Sequence, residues 1–97
     1  MASAVENIPY NGMTIDVCAA KIRRVIPMLG WRFQGERPGE IFASVPLSFW
    51  SWGEDVHIRF FQDHFSIESK CVMPLQIIDW GRNKSNIRKF ISAYYNA

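Results

Sequence analysis

The sequence predicts a single α+β domain over residues 1–97, a four-stranded antiparallel meander with an N-terminal and a C-terminal helix packed on one face. Two patterns predict this class. Apolar side chains recur at helical spacing near both ends of the chain, whereas apolar and polar side chains alternate along its middle. The composition agrees, because 48% hydrophobic and 21% charged residues are typical of a folded chain, and 97 residues can bury one core without metal or disulfide support.

The first third of the chain is predicted to contain one helix, preceded by a short segment. Residues 1–12 are irregular or form a short edge strand. Thr14 or Asp16 is the N-cap residue, since both types accept hydrogen bonds from the first helical N–H groups. Pro27 lacks a backbone donor and should weaken the helix, and Gly30 should end it. The apolar stripe of this helix comprises Cys18, Ile22, Val25 and Leu29.

A first hairpin is predicted around Arg37-Pro38-Gly39, because Pro presets one φ angle of a turn and Gly supplies a positive one. Apolar and polar residues alternate on both sides of this turn, and Pro46 ends the second strand. Further along, Glu54-Asp55 is interpreted as a solvated turn before the next strand.

A second hairpin is predicted with a two-residue loop at Asp63-His64. This loop pairs Phe60 with Ile67 on the apolar face and places Arg59 opposite Glu68 on the solvent face. Opposite charges at such a position are favourable by about 0.2–1 kcal/mol.

The C-terminal helix is predicted to begin at Asp79, a good N-cap residue. Its apolar face comprises Trp80, Ile87, Phe90, Ile91 and Tyr94, and its remaining surface carries Arg82, Lys84, Arg88 and Lys89. The core is therefore expected to join both helices to one sheet face through Ile22, Val25, Phe33, Ile58, Phe60, Ile67, Ile87 and Phe90.

Three segments carry a resemblance to a known family: Ser69-Lys70-Cys71, Asp79-Trp80-Gly81-Arg82-Asn83 with the helix that follows, and the strand over residues 54–59. Together they resemble the C-terminal signature, Ser…Asp-x-Gly-x-Asn and a helix, of a widespread uncharacterised domain family of bacteria and plastids. The resemblance covers about residues 54–91. It implies a single domain and no known reaction.

The first candidate site is polar. Asp79 with Arg59 or Arg82 could bind a polar ligand. The alternative is structural, since capping preference alone explains an Asp at the start of a helix.

The second candidate site is aromatic. Phe49, Trp50 and Trp52 fall within four residues, and an apolar patch of this kind is typical of a contact surface for a protein partner or a second copy of the chain. Alternatively, these rings cover the open end of the sheet. Helices over one sheet face could also enclose a small apolar ligand.

The charge is uneven along the chain. Residues 79–97 hold four basic groups and one acid, net +3, whereas residues 1–78 hold seven basic and eight acidic groups, net −1. A basic helix can contact phosphates, so nucleic acid or another acidic surface is a second possible partner. The alternative is an ordinary solvated helix face.

Catalytic and metal chemistry have little support. The spacing of His57, His64 and Cys71 matches no zinc motif, and no Gly-rich phosphate loop or hydrolase elbow occurs. Cys18 and Cys71 are expected to be buried free thiols in a reducing compartment. No signal peptide or membrane span is recognisable. We therefore expect a cytoplasmic, non-enzymatic binding or interaction domain without cofactor.

Overall fold

The computed structural model describes residues 3–46, 53–72 and 81–97. Within these ranges, seven elements follow one another: β1 (Ser3–Pro9), α1 (Ile15–Met28), β2 (Arg32–Arg37), β3 (Glu40–Val45), β4 (Glu54–Phe60), β5 (His64–Cys71) and α2 (Arg82–Asn96). The described strands form one antiparallel sheet in the order β1-β5-β4-β3-β2. The α+β class is confirmed, but the predicted four strands become five, because Ser3–Pro9 pairs along β5 as an edge strand.

Helix α1 starts where a side chain can satisfy its first donors. The Thr14 hydroxyl accepts a hydrogen bond from the Val17 N–H at 3.2 Å, so Thr14 is the N-cap residue. The helix stays regular through Pro27 to Met28, further than the proline predicts. Pro27 stands in the last turn, where it removes a single backbone bond. The Leu29 N–H still reaches the Val25 carbonyl at 3.1 Å.

The first hairpin forms as predicted and carries one bulge, between Phe33 and Gly35. The second hairpin has a different register from the predicted one. Phe60 pairs with Phe65 rather than Ile67, and Arg59 pairs with Ser66 rather than Glu68.

This register follows from the position of the turn. The Phe61 N–H donates to the His64 carbonyl at 2.8 Å, which centres the turn on Gln62-Asp63 instead of Asp63-His64. Moving a turn by one residue shifts the pairing by two, and a two-residue shift leaves every side chain on its original face. Alternation of apolar residues therefore cannot distinguish the two registers.

Helix α2 begins later than predicted. Gly81 occupies the N-cap position with a φ of 74°, a left-handed conformation that regular helix does not contain. The helix therefore cannot extend back through Gly81, and the predicted N-cap at Asp79 is wrong. Asp79 and Trp80 themselves lie outside the described residues.

One core joins the covered face of the sheet to both helices. Of the predicted core residues, Ile22, Val25, Ile58, Ile67, Ile87 and Phe90 are buried, and Phe60 is half-buried. Phe33 is 46% exposed, contrary to prediction. It shares the face of buried Ala43, but it stands on β2, which is an edge strand among the described strands.

Aromatic rings hold α2 against the sheet. The ring of Phe65 meets that of Phe90 edge-on at 6.4 Å and that of Tyr94 at 5.2 Å, while Trp31 stacks on Phe90 at 6.2 Å. Burial raises the pKa of Tyr94, and the neighbouring Cys18 raises it further, so its ring stays neutral. None of the helices in the described ranges is long and apolar enough to cross a membrane.

Replacing Phe90 by Ala should lower the free energy of unfolding by about 3–5 kcal/mol, because the ring is fully buried. Phe33→Ala is the matched control and should cost less than about 1 kcal/mol, since that ring is half exposed. Urea unfolding of both variants measures the difference. Equal losses would show that α2 does not dock through Phe90.

Candidate functional site

The predicted site residues fall into two groups. Phe49, Trp50, Trp52 and Asp79 lie outside the described residues. Arg59 stands exposed on the open face of the sheet, in register with Glu40 and Ser66. Arg82 lies on the covered side, beside Glu54. The structure therefore places the two arginines on opposite sides of the sheet, and they cannot share one site.

The open face carries charges of both signs. The Glu40 carboxylate lies 2.9 Å from the ring nitrogen of His57, which stacks on Phe42 at 4.6 Å. His57 pairs with Glu68 across the strands. Cys71 lies on the covered face, so His57 and Cys71 diverge. Such a mixed face offers little net attraction to a charged partner.

A buried polar cluster lies under the start of α2. We call Glu54, Ser69, Cys71, Asn83 and Asn86 the polar cluster; all are buried. Asn86 Nδ2 donates to Glu54 Oε1 at 2.7 Å and to Ser69 Oγ at 3.2 Å. Ser69 Oγ donates to Asn83 Oδ1 at 2.7 Å, and Asn83 Nδ2 donates to Cys71 Sγ at 3.4 Å. The bonds form one continuous chain from β4 through α2 to β5.

The carboxylate of Glu54 governs the energetics of this cluster. It is 0% exposed, and burying a charge is costly unless donors and an opposite charge reach it. Asn86 supplies a donor, and Arg82 Nε lies 3.6 Å from Glu54 Oε1 with its side chain 24% exposed. The predicted solvated turn at Glu54-Asp55 is thus wrong for Glu54, which starts β4 on the covered face.

The sequence contained a signal for this cluster. In the alternating pattern, Glu54 falls on the same strand face as the apolar residues Val56 and Ile58, and Ser69 falls on the same face as Ile67. Polar side chains on a buried strand face need hydrogen-bond partners inside the protein. Glu54, Ser69, Cys71 and Asn83 of this cluster lie in the segments that carry the family resemblance.

The polar cluster holds α2 against the sheet. Its side chains are hydrogen-bonded to one another. Neither described histidine contacts the Cys71 thiol, since His57 pairs with Glu40 and His64 pairs with Asp63. Activation of a thiol needs a neighbouring base or positive charge directed at the sulfur. Here the sulfur instead accepts an amide hydrogen bond. The polar cluster therefore ties α2 to β4 and β5.

The helices form a strongly basic layer. They carry seven of the eleven Lys and Arg residues and one of the nine acids, a net +6 that leaves −4 for the rest of the chain. Two of these cations are paired. Arg23 donates to both oxygens of Glu36 at 2.8 and 3.0 Å, which lowers the pKa of that carboxyl, and Arg82 faces Glu54.

Four exposed cations remain, Arg24, Lys84, Arg88 and Lys89, which we call the basic helix surface. In the described part of the chain no carboxylate pairs with any of them. Lys21 is half-buried, and its ammonium lies 4.5 Å from the centre of the Tyr94 ring.

In the described part of the chain, two grooves flank the helices. One, of about 480 Å³, is lined by Leu29, Ser85, Arg88, Lys89, Ser92 and Ala93. The other, of about 310 Å³, lies between α1 and the β2–β3 turn, where Arg23 and Arg37 face three carboxylates. Only the first of these two combines cations and hydroxyls without an acid, and we call it the α2 groove.

Comparisons of the chain with family models, curated proteins and solved structures gave no match. The family resemblance stays a prediction, and the geometry of the described residues is the basis for any function.

Asn86→Asp should destabilise the domain by about 3–5 kcal/mol at neutral pH, because it removes both donated hydrogens and places a second carboxylate beside buried Glu54. Asn7→Asp, on exposed β1, makes the same chemical change and should stay within about 0.5 kcal/mol. Urea unfolding of both variants at neutral pH checks this; equal effects of the two variants would contradict the stabilising role of the polar cluster.

Proposed function

We propose that this chain is a non-enzymatic binding domain that contacts the phosphates of a nucleic acid through the basic helix surface. One observation carries the proposal: α2 exposes Lys84, Arg88 and Lys89, contains no acid, and buries its apolar residues in the core. A uniform patch of positive charge attracts a polyanion even where the net charge of a protein is small. The total of +2 therefore understates the local field.

Nucleic acid fits this surface better than a membrane does. An interfacial helix inserts a broad apolar face between lipid head groups. The apolar residues Ile87, Phe90 and Tyr94 of α2 are instead buried against the sheet. Exposed hydroxyl and cationic side chains are the groups that commonly contact nucleic-acid phosphates.

The expected affinity is weak and depends on salt. Each phosphate neutralised releases counterions, and the four cations of the basic helix surface limit the slope of log K against log salt to roughly −3 to −4. Contacts of this kind position a nucleic acid without reading its sequence.

Phe49, Trp50 and Trp52 stay our prediction for a second contact surface, toward a protein partner or another copy of the chain. Its support is the density of aromatic residues. Replacing Trp50 and Trp52 by Ser should weaken association in light scattering while leaving the melting curve nearly unchanged. If the wild type is monomeric and the double variant loses its folded structure, the rings belong to the core instead.

A labelled mixed-sequence oligonucleotide should bind the wild type at low salt, with affinity falling steeply as salt is added. The double variant Lys84→Gln/Arg88→Gln should weaken binding by about tenfold or more and reduce the salt slope by about two. Fluorescence anisotropy across a salt series measures both quantities.

The control variant removes the same number of positive charges from a different part of the protein. Arg32 and Lys70 are exposed on the open face of the sheet, so Arg32→Gln/Lys70→Gln should stay within about threefold of the wild type. Equal losses in the two double variants would mean that net charge, not the basic helix surface, governs binding. A folded wild type that does not bind at low salt would reject the proposal.

A further inference from the structure

We infer that the outer edge of β1 pairs with β1 of a second copy of the chain, so that two sheets join into one. Among the described strands, β1 lies at one end of the order β1-β5-β4-β3-β2, and it pairs with β5 along its whole length without a bulge. An edge strand offers backbone donors and acceptors to another strand. Association through β1 does not depend on nucleic-acid binding.

The ladder between β4 and β5 shows which backbone groups point toward which neighbour. The Phe61 N–H donates to the His64 carbonyl, and the Val72 N–H donates to the Gly53 carbonyl. In an antiparallel ladder, opposite residues alternate between pairs that exchange backbone hydrogen bonds and pairs that do not. The even-numbered residues of β5 therefore bond β4, and its odd-numbered residues bond β1.

This alternation leaves a row of backbone groups on the outer edge of β1. The residues of β1 that bond β5 are the partners of its odd-numbered residues: Ala4, Glu6 and Ile8. Ser3, Val5 and Asn7 consequently direct their N–H and C=O groups away from the sheet, and in the described part of the chain no hydrogen bond reaches these groups. Pro9 agrees with this assignment, because an edge strand tolerates proline where the missing N–H would face outward.

The opposite edge strand, β2, is protected against such pairing. It has a bulge between Phe33 and Gly35, and Arg32, Glu36 and Arg37 make half of its six residues charged. Bulges and charged side chains are common devices that prevent strand edges from pairing. By contrast, β1 has a single charged residue among its seven and carries an apolar side chain that is 56% exposed, at its third position.

The sequence of β1 is self-complementary in one register. With Val5 opposite Val5 of the second copy, Ser3 lies opposite Asn7 on both sides, and each of these pairs exchanges two backbone hydrogen bonds. Moving the pairing by two residues would set Glu6 against Glu6, a repulsive arrangement, and would pair Ser3 with Pro9, which has no N–H. The register centred on Val5 is therefore favoured.

The dimer would carry all four helices on one side. Residues that lie opposite each other in neighbouring strands direct their side chains to the same face, so the covered faces of both sheets coincide. Because α2 packs on β1 and β5, the α2 helices of the two copies lie on either side of the new pairing. Each copy has a net charge of +2, and the resulting repulsion makes added salt favour association, whereas salt weakens nucleic-acid binding.

Val5→Lys should raise the dissociation constant of the dimer by about fivefold or more, because it sets two like charges opposite each other at the centre of the pairing. Phe33→Lys is the matched control, since it adds the same charge at an exposed apolar position of the other edge strand, and it should stay within about twofold of the wild type. Sedimentation of both variants over a concentration series measures this, with urea unfolding to show that each is folded.

Cysteine cross-linking tests the register. Val5→Cys should give a covalent dimer on mild oxidation, because hydrogen-bonded antiparallel partners have Cα atoms about 5.5 Å apart, a separation that a disulfide spans. Glu6→Cys is the control and should stay monomeric under reducing-free electrophoresis, since residue 6 lies opposite Ala4 in this register. The native Cys18 and Cys71 are buried and do not compete.

Each outcome decides for or against the β1 dimer. A wild type that stays monomeric in concentrated solution overturns it, and so does equal weakening by Val5→Lys and Phe33→Lys. Faster cross-linking of Glu6→Cys than of Val5→Cys overturns the register. Association that survives Val5→Lys but is lost in Trp50→Ser/Trp52→Ser assigns the contact between copies to the aromatic segment instead and overturns the role of β1.

Discussion

The burial of the Glu54 carboxylate is the constraint on which the rest of the domain depends. A carboxylate without solvent contact needs donors and an opposite charge, and here α2 supplies both through Asn86 and Arg82. Asn86 also bonds Ser69 on the neighbouring strand, so rotation of α2 about its axis would break several buried bonds together. The orientation of α2 that these hydrogen bonds fix turns its apolar face toward the sheet. It leaves three cations in solvent: Lys84, Arg88 and Lys89.

The same arrangement separates charge by layer. The helices carry +6 and the remaining chain −4, a contrast that the total of +2 conceals. On the sheet, acids such as Glu40 and Asp55 stand beside basic partners, whereas α2 has no acid to balance its cations. A field of this kind steers a polyanion toward one side of a small domain, and salt weakens it.

Local patterns located most elements because each depends on neighbouring residues. Thr14 accepts the first N–H groups of α1, and the turn at Pro38-Gly39 needs only its own dihedral angles. The second hairpin differs, since two registers put the same residues on the same face. The hydroxyl of Tyr10 bonds the Phe61 carbonyl at 2.6 Å, a contact across 51 residues that no local pattern contains.

The sequence by itself determined the α+β class, the two amphipathic helices, both hairpins and the concentration of positive charge on the C-terminal helix. These properties follow from periodicity and turn chemistry within short segments. Tertiary structure decided the fifth strand, the register of β4 on β5, the start of α2 and the role of Glu54. Each of these depends on which distant segments meet, because a strand edge, a buried carboxylate or a groove between helices exists only once separate elements pack together.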